Sequence, residues 1–246
     1  MAASQSKRRI AFRVLIPLLA VALLCAAVFG FLLTGRYEAD TAAVAKFSVA
    51  GVSESSSEGN LYFGAGTEKC GLIFYPGAKV DPVSYAPLMR AIASEGVFCA
   101  VCTMPFDLAL FGAHRADAVR KAYPAVETWF LAGHSLGGVM AARHLAARPD
   151  DFRGLILLAS YADVDLSALP LPVLSLYGSE DGVMDRGRYE ESKKNLPASF
   201  EERVIEGGCH AGFGFYGPQK GDGEPSLSPE EQVRAAAALI LDFTEK

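Results

Sequence analysis

Three side chains that could act together in catalysis follow one another along the chain: a serine, an acid and a histidine. Ser135 is the centre of a G-x-S-x-G pentapeptide, residues 133–137, with an apolar run before it and a helix-like run rich in small residues after it. This context is typical of a nucleophile elbow, in which glycines flank a serine on a strained strand-to-helix turn. The pattern predicts Ser135 as a nucleophile, and an ordinary glycine-rich turn with an incidental serine is the structural alternative.

A serine nucleophile needs a base, and the base is expected in a loop after a later strand. Of the four histidines, His210 alone follows a later strand-like run. His114 precedes Ser135, His134 should point away from it as its neighbour in the elbow, and His144 lies two to three turns into the next helix. His210 is therefore the predicted base.

The base in turn needs an acid that orients it, from a loop between the serine and the histidine. Asp181 and Glu180 follow the strand-like run VLSLYG directly. Asp181 is favoured over Glu180, and Asp163 or Asp165, after the preceding run, are further alternatives.

An acyl-transfer site also needs backbone N–H groups that hold an oxyanion. The N–H of Leu136 lies at the predicted start of the helix after Ser135. The second donor is expected in the loop after the first core strand, where Gly77 gives backbone freedom and Ala78 supplies the N–H, or Lys79 if the loop is shifted by one residue.

The elements that must position these residues are apolar runs of strand length separated by amphipathic, helix-like stretches. Such continuous apolar runs predict a mostly parallel sheet with helices on both faces. Residues 47–63 predict a hairpin in which FSVAGV and LYF flank the turn SESSSEGN. Only residues 161–172 connect the fourth and fifth core strands, which is too short for a cap domain. The core runs are residues 71–75, 97–102, 128–133, 154–160 and 173–178.

Composition fits one packed domain and excludes several partners. The chain has 246 residues, of which 51% are hydrophobic. Beyond residue 13 it carries 19 basic and 28 acidic residues, so we expect no nucleic-acid partner. Neither a metal-ligand spacing nor a nucleotide-binding fingerprint occurs, so we expect no cofactor and no metal. The oligomeric state is left open.

The N-terminal region predicts a membrane anchor. Residues 14–33 carry no charge over 20 positions, and four basic residues precede them. This pattern predicts a cytoplasmic segment at 1–13, a single transmembrane helix at 14–34, a tether at 35–45 and an extracytoplasmic domain at 46–246. A cleaved signal peptide is the alternative.

Two pairs of cysteines could bear on the fold. Cys99 and Cys102 are three apart on a strand, so their side chains face opposite sides and cannot form a disulfide with each other. Cys70 and Cys209 could be free or paired.

Six motifs follow one another along the chain: YPGAKVDPVSYAPL, TMPFDLALFG, GHSLGG, LILLASY, LYGSEDGV and GGCHAGFGFYGPQKGDG. They occur in the order seen in the α/β-hydrolase superfamily and most resemble the bacterial, often membrane-anchored proteins grouped as the α/β hydrolase family 5 domain. The likeness covers about residues 45–246. It implies an α/β-hydrolase fold, a triad at Ser135, Asp181 and His210, and an oxyanion loop at Gly77 and Ala78. Substrates in that family are generally unassigned.

The residues together predict a serine hydrolase that cleaves small acyl esters. A thioesterase or amidase with the same triad, or a catalytically silent binding module at the membrane surface, is the alternative. Phe106, Phe111 and Phe213 lie in apolar stretches after strands and are predicted to line an open acyl groove. The alternative is that these stretches pack onto the domain.

Overall fold

The computed structural model describes residues 13, 16–21, 23, 24, 26, 27 and 30 and the continuous stretch 35–246. Most of the predicted cytoplasmic segment and transmembrane helix, residues 1–34, therefore lies outside the described residues. Those that are described before residue 35 are helical. No helix among the described residues combines the length and the apolar character that crossing a membrane requires.

The domain is built on one eight-stranded sheet with the order β1-β2-β4-β3-β5-β6-β7-β8. The strands from β4 to β8 in this order run parallel, whereas β2 is antiparallel to both β1 and β4. This arrangement confirms the predicted mostly parallel sheet. The strands are β1 (Glu54–Ser57), β2 (Asn60–Phe63), β3 (Cys70–Tyr75), β4 (Val97–Val101), β5 (Thr128–His134), β6 (Gly154–Leu158), β7 (Val173–Gly178) and β8 (Glu201–Ile205).

Helices cover both faces of the sheet, and a separate hydrophobic core lies under each face. Along β3, Leu72 and Phe74 pack into the core beneath the helices at 86–93 and 229–244, while Ile73 and Tyr75 pack into the core beneath the helices at 115–122 and 136–147. Burial on both faces explains why these strands are continuous apolar runs. The helices are α1 (Thr41–Lys46), α2 (Ala86–Ala93), α3 (Arg115–Ala122), α4 (Leu136–Ala147), α5 (Arg186–Ser192) and α6 (Pro229–Thr244).

The N-terminal hairpin differs from the prediction. Its first strand is the polar run ESSS, Glu54–Ser57, and not FSVAGV. The turn is Glu58-Gly59, where both residues have positive φ. A two-residue turn of this kind matches the twist of a hairpin and fixes the pairing of Ser57 with Asn60. Part of the predicted turn is therefore strand.

The predicted tether is also wrong in its extent, because it belongs to the domain. The N–H of Tyr37 donates to the carbonyl of Lys79 at 2.7 Å. The short helix α1 buries Val44 against the core. The alanine-rich sequence showed no sign of this hydrogen bond or of this apolar packing. The compact unit covers Tyr37–Lys246.

The connection between β6 and β7 matches its prediction. Residues 161–172 contain neither helix nor strand. No cap domain is therefore inserted at this point.

Candidate active site

Ser135 occupies the turn between β5 and α4. Its backbone has φ 51° and ψ −124°, a conformation that costs energy in any residue with a side chain. The N–H of Ser135 donates to the carbonyl of Leu158 at 2.9 Å, and the hydroxyl of Ser160 donates to the carbonyl of Ser135 at 2.7 Å. Strand β6 and the residues just after it therefore bind both the N–H and the carbonyl of Ser135.

The glycines on either side of Ser135 are required by close backbone packing. A Cβ on Gly133 would lie 2.5 Å from the carbonyl oxygen of Gly137. A Cβ on Gly137 would overlap the carbonyl oxygens of Tyr75 and Pro76 at the end of β3. Only glycine fits at both positions, as the elbow pattern predicted, and the overlap shows that the chain leaving β3 passes directly beside the start of α4.

Asp181 and His210 form a buried pair in the loops that follow β7 and β8. The Nδ1 of His210 lies 2.9 Å from Oδ2 of Asp181, with side chains 1% and 0% exposed. The other carboxylate oxygen accepts the N–H groups of Val183 and Met184 at 2.9 and 2.8 Å. Burial alone would raise the pKa of Asp181, but the hydrogen bond and charge of His210, with these two N–H groups, lower it. Asp181 is therefore held as a carboxylate facing the imidazole.

The other acids considered from the sequence lie elsewhere. Glu180 is exposed and accepts a hydrogen bond from Ser179. Asp163 pairs with Arg143 on the surface, and Asp165 accepts hydrogen bonds from Ser167. The structure thus brings Asp181 alone of the four acids to His210.

The remaining nitrogen of His210 is unpartnered in the described part of the chain, and His210 shares a cavity with Ser135. Its Nε2 is buried and has no hydrogen-bond partner among the described residues. Ser135 and His210 line the same cavity, of about 250 Å³. A molecule bound in this cavity would therefore lie beside both residues. The other lining residues are Leu136, Val139, Ala159, Ser160, Tyr161, Val183, Met184, Asp185 and Arg188.

Two backbone N–H groups are available for an oxyanion. Leu136 is the first residue of α4, so its N–H has no acceptor within the helix. The N–H of Ala78 finds no acceptor in the described part of the chain. The N–H of Lys79 donates to the carbonyl of Asp107 at 2.7 Å, and that of Gly77 donates to the Tyr85 hydroxyl at 3.0 Å. Of the two sequence alternatives, Ala78 is free and Lys79 is occupied.

Comparison with known proteins assigns the chain to a family. The model of a family described as the alpha/beta hydrolase family matches residues 71–234. The chain belongs to the alpha/beta hydrolase family. A search of curated proteins finds no match to this alpha/beta hydrolase.

Solved structures share the fold of this alpha/beta hydrolase at low sequence identity. A predicted CIB-like hydrolase from Thermoplasma acidophilum is 17% identical with a TM-score of 0.57, covering 78% of this chain and 99% of its own. An esterase from Pyrobaculum calidifontis is 16% identical with a TM-score of 0.58, covering 82% and 89%. A metagenome-derived lipolytic enzyme is 15% identical with a TM-score of 0.58, covering 76% and 96%.

A buried hydrogen-bond chain behind the elbow of this alpha/beta hydrolase was not predicted. His134 is fully buried, with Nδ1 2.8 Å from the hydroxyl of Tyr85 and Nε2 3.1 Å from the carbonyl of His210. Burial, followed by the proximity of the His210 ring, lowers the pKa of His134 well below its usual value. The ring is thus neutral. Because the carbonyl can only accept, Nε2 carries the hydrogen and Nδ1 accepts from Tyr85. The sequence signal that could have indicated this hydrogen-bond chain was a histidine, His134, directly before the predicted nucleophile.

The aromatic residues predicted to bind substrate are not together. Phe213 is fully buried, and its ring lies 5.7 Å from the ring of His134. The prediction that Phe213 borders an open groove is wrong, because the loop after β8 that carries His210 (the base loop) turns this side chain into the core. Phe106 and Phe111 are 47% and 46% exposed and contact each other edge to face. Neither ring lines the cavity that Ser135 shares with His210.

The cysteines that the structure describes are free thiols. Cys70 is half-buried, and Cys99, Cys102 and Cys209 are buried. Burial raises the pKa of Cys209 to about 11, with Asp222 adding to the effect. The described residues contain no group of three His, Cys, Asp or Glu side chains that could hold a metal ion.

Proposed function

We propose that the protein is a serine hydrolase that cleaves carboxylic esters through an acyl-enzyme. The observation that carries the proposal is the buried Asp181–His210 pair, in which His210 lines the same cavity as Ser135 and its Nε2 has no partner among the described residues. The likeness to an esterase and a lipolytic enzyme supports the choice of esters.

The proposed reaction uses these groups in two stages. The Ser135 oxygen attacks the ester carbonyl carbon while its proton passes to Nε2 of His210, and Asp181 stabilises the imidazolium. The N–H groups of Leu136 and Ala78 hold the oxyanion. The C–O bond to the alcohol then breaks, and the alcohol leaves with the proton from His210. A water molecule attacks the acyl carbonyl by the same route, releasing the acid and restoring Ser135.

Labelling with a fluorophosphonate probe tests the proposal, because such a probe reacts with an activated serine. Wild-type protein should label and hydrolyse p-nitrophenyl butyrate, and Ser135→Ala should lose both. His210→Ala should lower kcat by about as much as the serine substitution, on the order of 10⁶-fold, and Asp181→Asn by about 10⁴-fold. Ser94→Ala, at an exposed serine on the end of α2, is the control.

The outcome also separates the other functions considered from the sequence. A folded wild-type protein that neither labels nor turns over any acyl substrate would favour a binding module. Labelling with turnover restricted to thioesters or amides would keep the triad and change the substrate class. Ester turnover that survives Ser135→Ala would contradict the proposal directly.

We also propose that residues 14–34 anchor the protein in the cell membrane, with residues 1–13 inside and the hydrolase domain outside. The uncharged 14–33 run and the four basic residues before it support this topology. Protease added to intact cells should digest the domain, and N-terminal sequencing of the mature protein should find the segment retained. A domain that is protected until the membrane is breached would reverse the orientation. A mature N-terminus beyond residue 34 would indicate a cleaved signal.

A further inference from the structure

One carboxylate lies between the two loops that carry Asp181 and His210. The Oδ1 of Asp222 accepts the N–H of Gly182 at 3.1 Å, of His210 at 3.1 Å and of Gly223 at 2.9 Å. Its Oδ2 accepts the N–H of Ala211 at 2.8 Å. The carboxylate therefore receives hydrogen bonds from the loop of the acid and from the loop of the base.

The bonded backbone groups are adjacent to the candidate catalytic side chains. Gly182 follows Asp181 directly in the sequence, and another of the N–H groups belongs to His210 itself. A shift of either peptide would therefore move a side chain of the Asp181–His210 hydrogen bond. Bonds to an ionised acceptor are about twice as strong as bonds between neutral groups, so this carboxylate is a stiff connection between the two loops.

The segment around Asp222 has little freedom to move. A Cβ on Gly182 would lie 2.6 Å from the carbonyl oxygen of Gly221, and a Cβ on Gly223 would overlap the carbonyl oxygen of Glu180. The two stretches of backbone are thus packed directly against each other. Asp222 is held at the junction by packing as well as by hydrogen bonds.

The His210 ring depends on this support because few other groups fix it. Its Nε2 has no partner among the described residues, and its Nδ1 bonds only Asp181. The ring orientation is therefore set by that one hydrogen bond, by packing and by the position of the His210 backbone.

We propose that Asp222 is a positioning residue that aligns Asp181 with His210 by holding the peptides beside them. The proposal rests on the triad of the proposed function. Asp222 touches neither the cavity nor Ser135. It acts through the other two residues and takes no part in the bond-making steps.

The substitution Asp222→Asn tests this role at nearly constant volume. The amide keeps one acceptor oxygen, and its NH₂ group faces N–H donors. Either the N–H of Ala211 or those of Gly182, His210 and Gly223 therefore lose their acceptor. We expect kcat for p-nitrophenyl butyrate to fall by about 10- to 100-fold, because misplacement of about 1 Å costs this much, with KM within about twofold. Glu224→Gln is the matched control, since this exposed carboxylate in the same loop has no hydrogen-bond partner among the described residues.

The pH profile distinguishes positioning from general destabilisation. A poorly aligned Asp181 stabilises the His210 imidazolium less, so the acidic limb of kcat/KM should move to lower pH in Asp222→Asn. Rates are expressed per fluorophosphonate-reactive site, so that a fraction of unfolded protein does not contribute. Asp222→Glu, which keeps the charge, should recover part of kcat.

An Asp222→Asn variant with unchanged kcat and an unmoved acidic limb would overturn the proposal. If this variant does not fold, Asp222→Glu provides the same two measurements, and a wild-type profile there would also overturn it. If wild-type protein proves inactive, the proposed function fails separately. NMR of the His210 ring then decides whether Asp222→Asn, and not Glu224→Gln, changes the Nδ1–H resonance. An unchanged resonance would reject the positioning role.

Discussion

The hydroxyl of Tyr85 lies 2.8 Å from Nδ1 of His134, and both side chains are fully buried. The hydroxyl also accepts the N–H of Gly77, and the opposite nitrogen of His134 donates to the carbonyl of His210. A buried series of three hydrogen bonds therefore joins the candidate oxyanion loop, the elbow and the base loop. The backbone positions of these three loops therefore depend on one another through this hydrogen-bond network.

Tyr85→Phe should destabilise the protein and lower its activity. The substitution leaves the Gly77 N–H and the His134 Nδ1 buried without a partner, which costs about 1–3 kcal/mol for each group. Urea unfolding measures the loss, and kcat should fall with it because Gly77 precedes the donor Ala78. Tyr123→Phe is the control, since that hydroxyl has no hydrogen-bond partner among the described residues. Equal stability of Tyr85→Phe and wild type would contradict the assigned network.

Stability should fall as the pH decreases from about 7 to about 5. Burial keeps His134 neutral when folded, whereas the unfolded chain takes up a proton below about pH 6.5. The unfolded state then binds more protons, so the free energy of unfolding drops by up to about 1.4 kcal/mol per pH unit. Burial also lowers the pKa of His144, which acts in the same direction.

Urea unfolding at the two pH values measures this dependence. His134→Gln should weaken it, whereas His114→Gln, at an exposed ring, should leave it unchanged. A wild-type protein equally stable at both pH values would show that His134 is not buried as a neutral group.

Gly137→Ala should be among the most damaging single substitutions in the domain. The added methyl group would overlap two backbone carbonyl oxygens, which cannot move aside as a flexible side chain can. We expect a loss of about 3 kcal/mol or more, or no soluble protein. Gly187→Ala in α5 should be tolerated, because its Cβ would approach only a carboxylate oxygen of the exposed Asp185 side chain, at 3.3 Å, and that side chain can move aside. Thermal unfolding compares the two, and a similar Tm for both would contradict the packing.

Short-chain esters should be better substrates than long-chain esters. The connection at 161–172 provides no cap, and the cavity is about 250 Å³. Each methylene left in water forgoes about 0.8 kcal/mol of burial energy, so kcat/KM should not increase from about four to about sixteen acyl carbons. A p-nitrophenyl ester series measures this. A steady rise with chain length would indicate a deep channel for the acyl chain.

The sequence predicted the parallel core and the candidate triad for a shared physical reason. Buried strands are recognisable as apolar runs, and in a parallel sheet the loops at their carboxyl ends meet at one edge. Ser135 and Asp181 follow such runs, and His210 follows the polar edge strand β8, which was recognised from its position in the order of strands. The need for glycine on both sides of Ser135 could be predicted from the geometry of the turn alone.

Other features depend on contacts that a pattern does not contain. Phe213 follows a strand just as a groove residue would, and only the path of its loop turns the ring inward. Asp222 binds Gly182, 40 residues away, and Tyr85 binds His134, 49 residues away, so neither role could be assigned from the sequence. The edge strand ESSS has no apolar alternation because none of its side chains is buried.

The outer strands β1 and β8 also determine how the protein behaves toward other chains. All four residues of β1 are exposed serines or glutamate, and β8 is five residues long and begins Glu201-Glu202-Arg203. Lys246 and Arg203 pair with Glu201 along this second strand. Short, polar and charged margins discourage strand addition and fibre formation. Self-association, where it occurs, would therefore use helices or loops and leave the margins of the sheet in water.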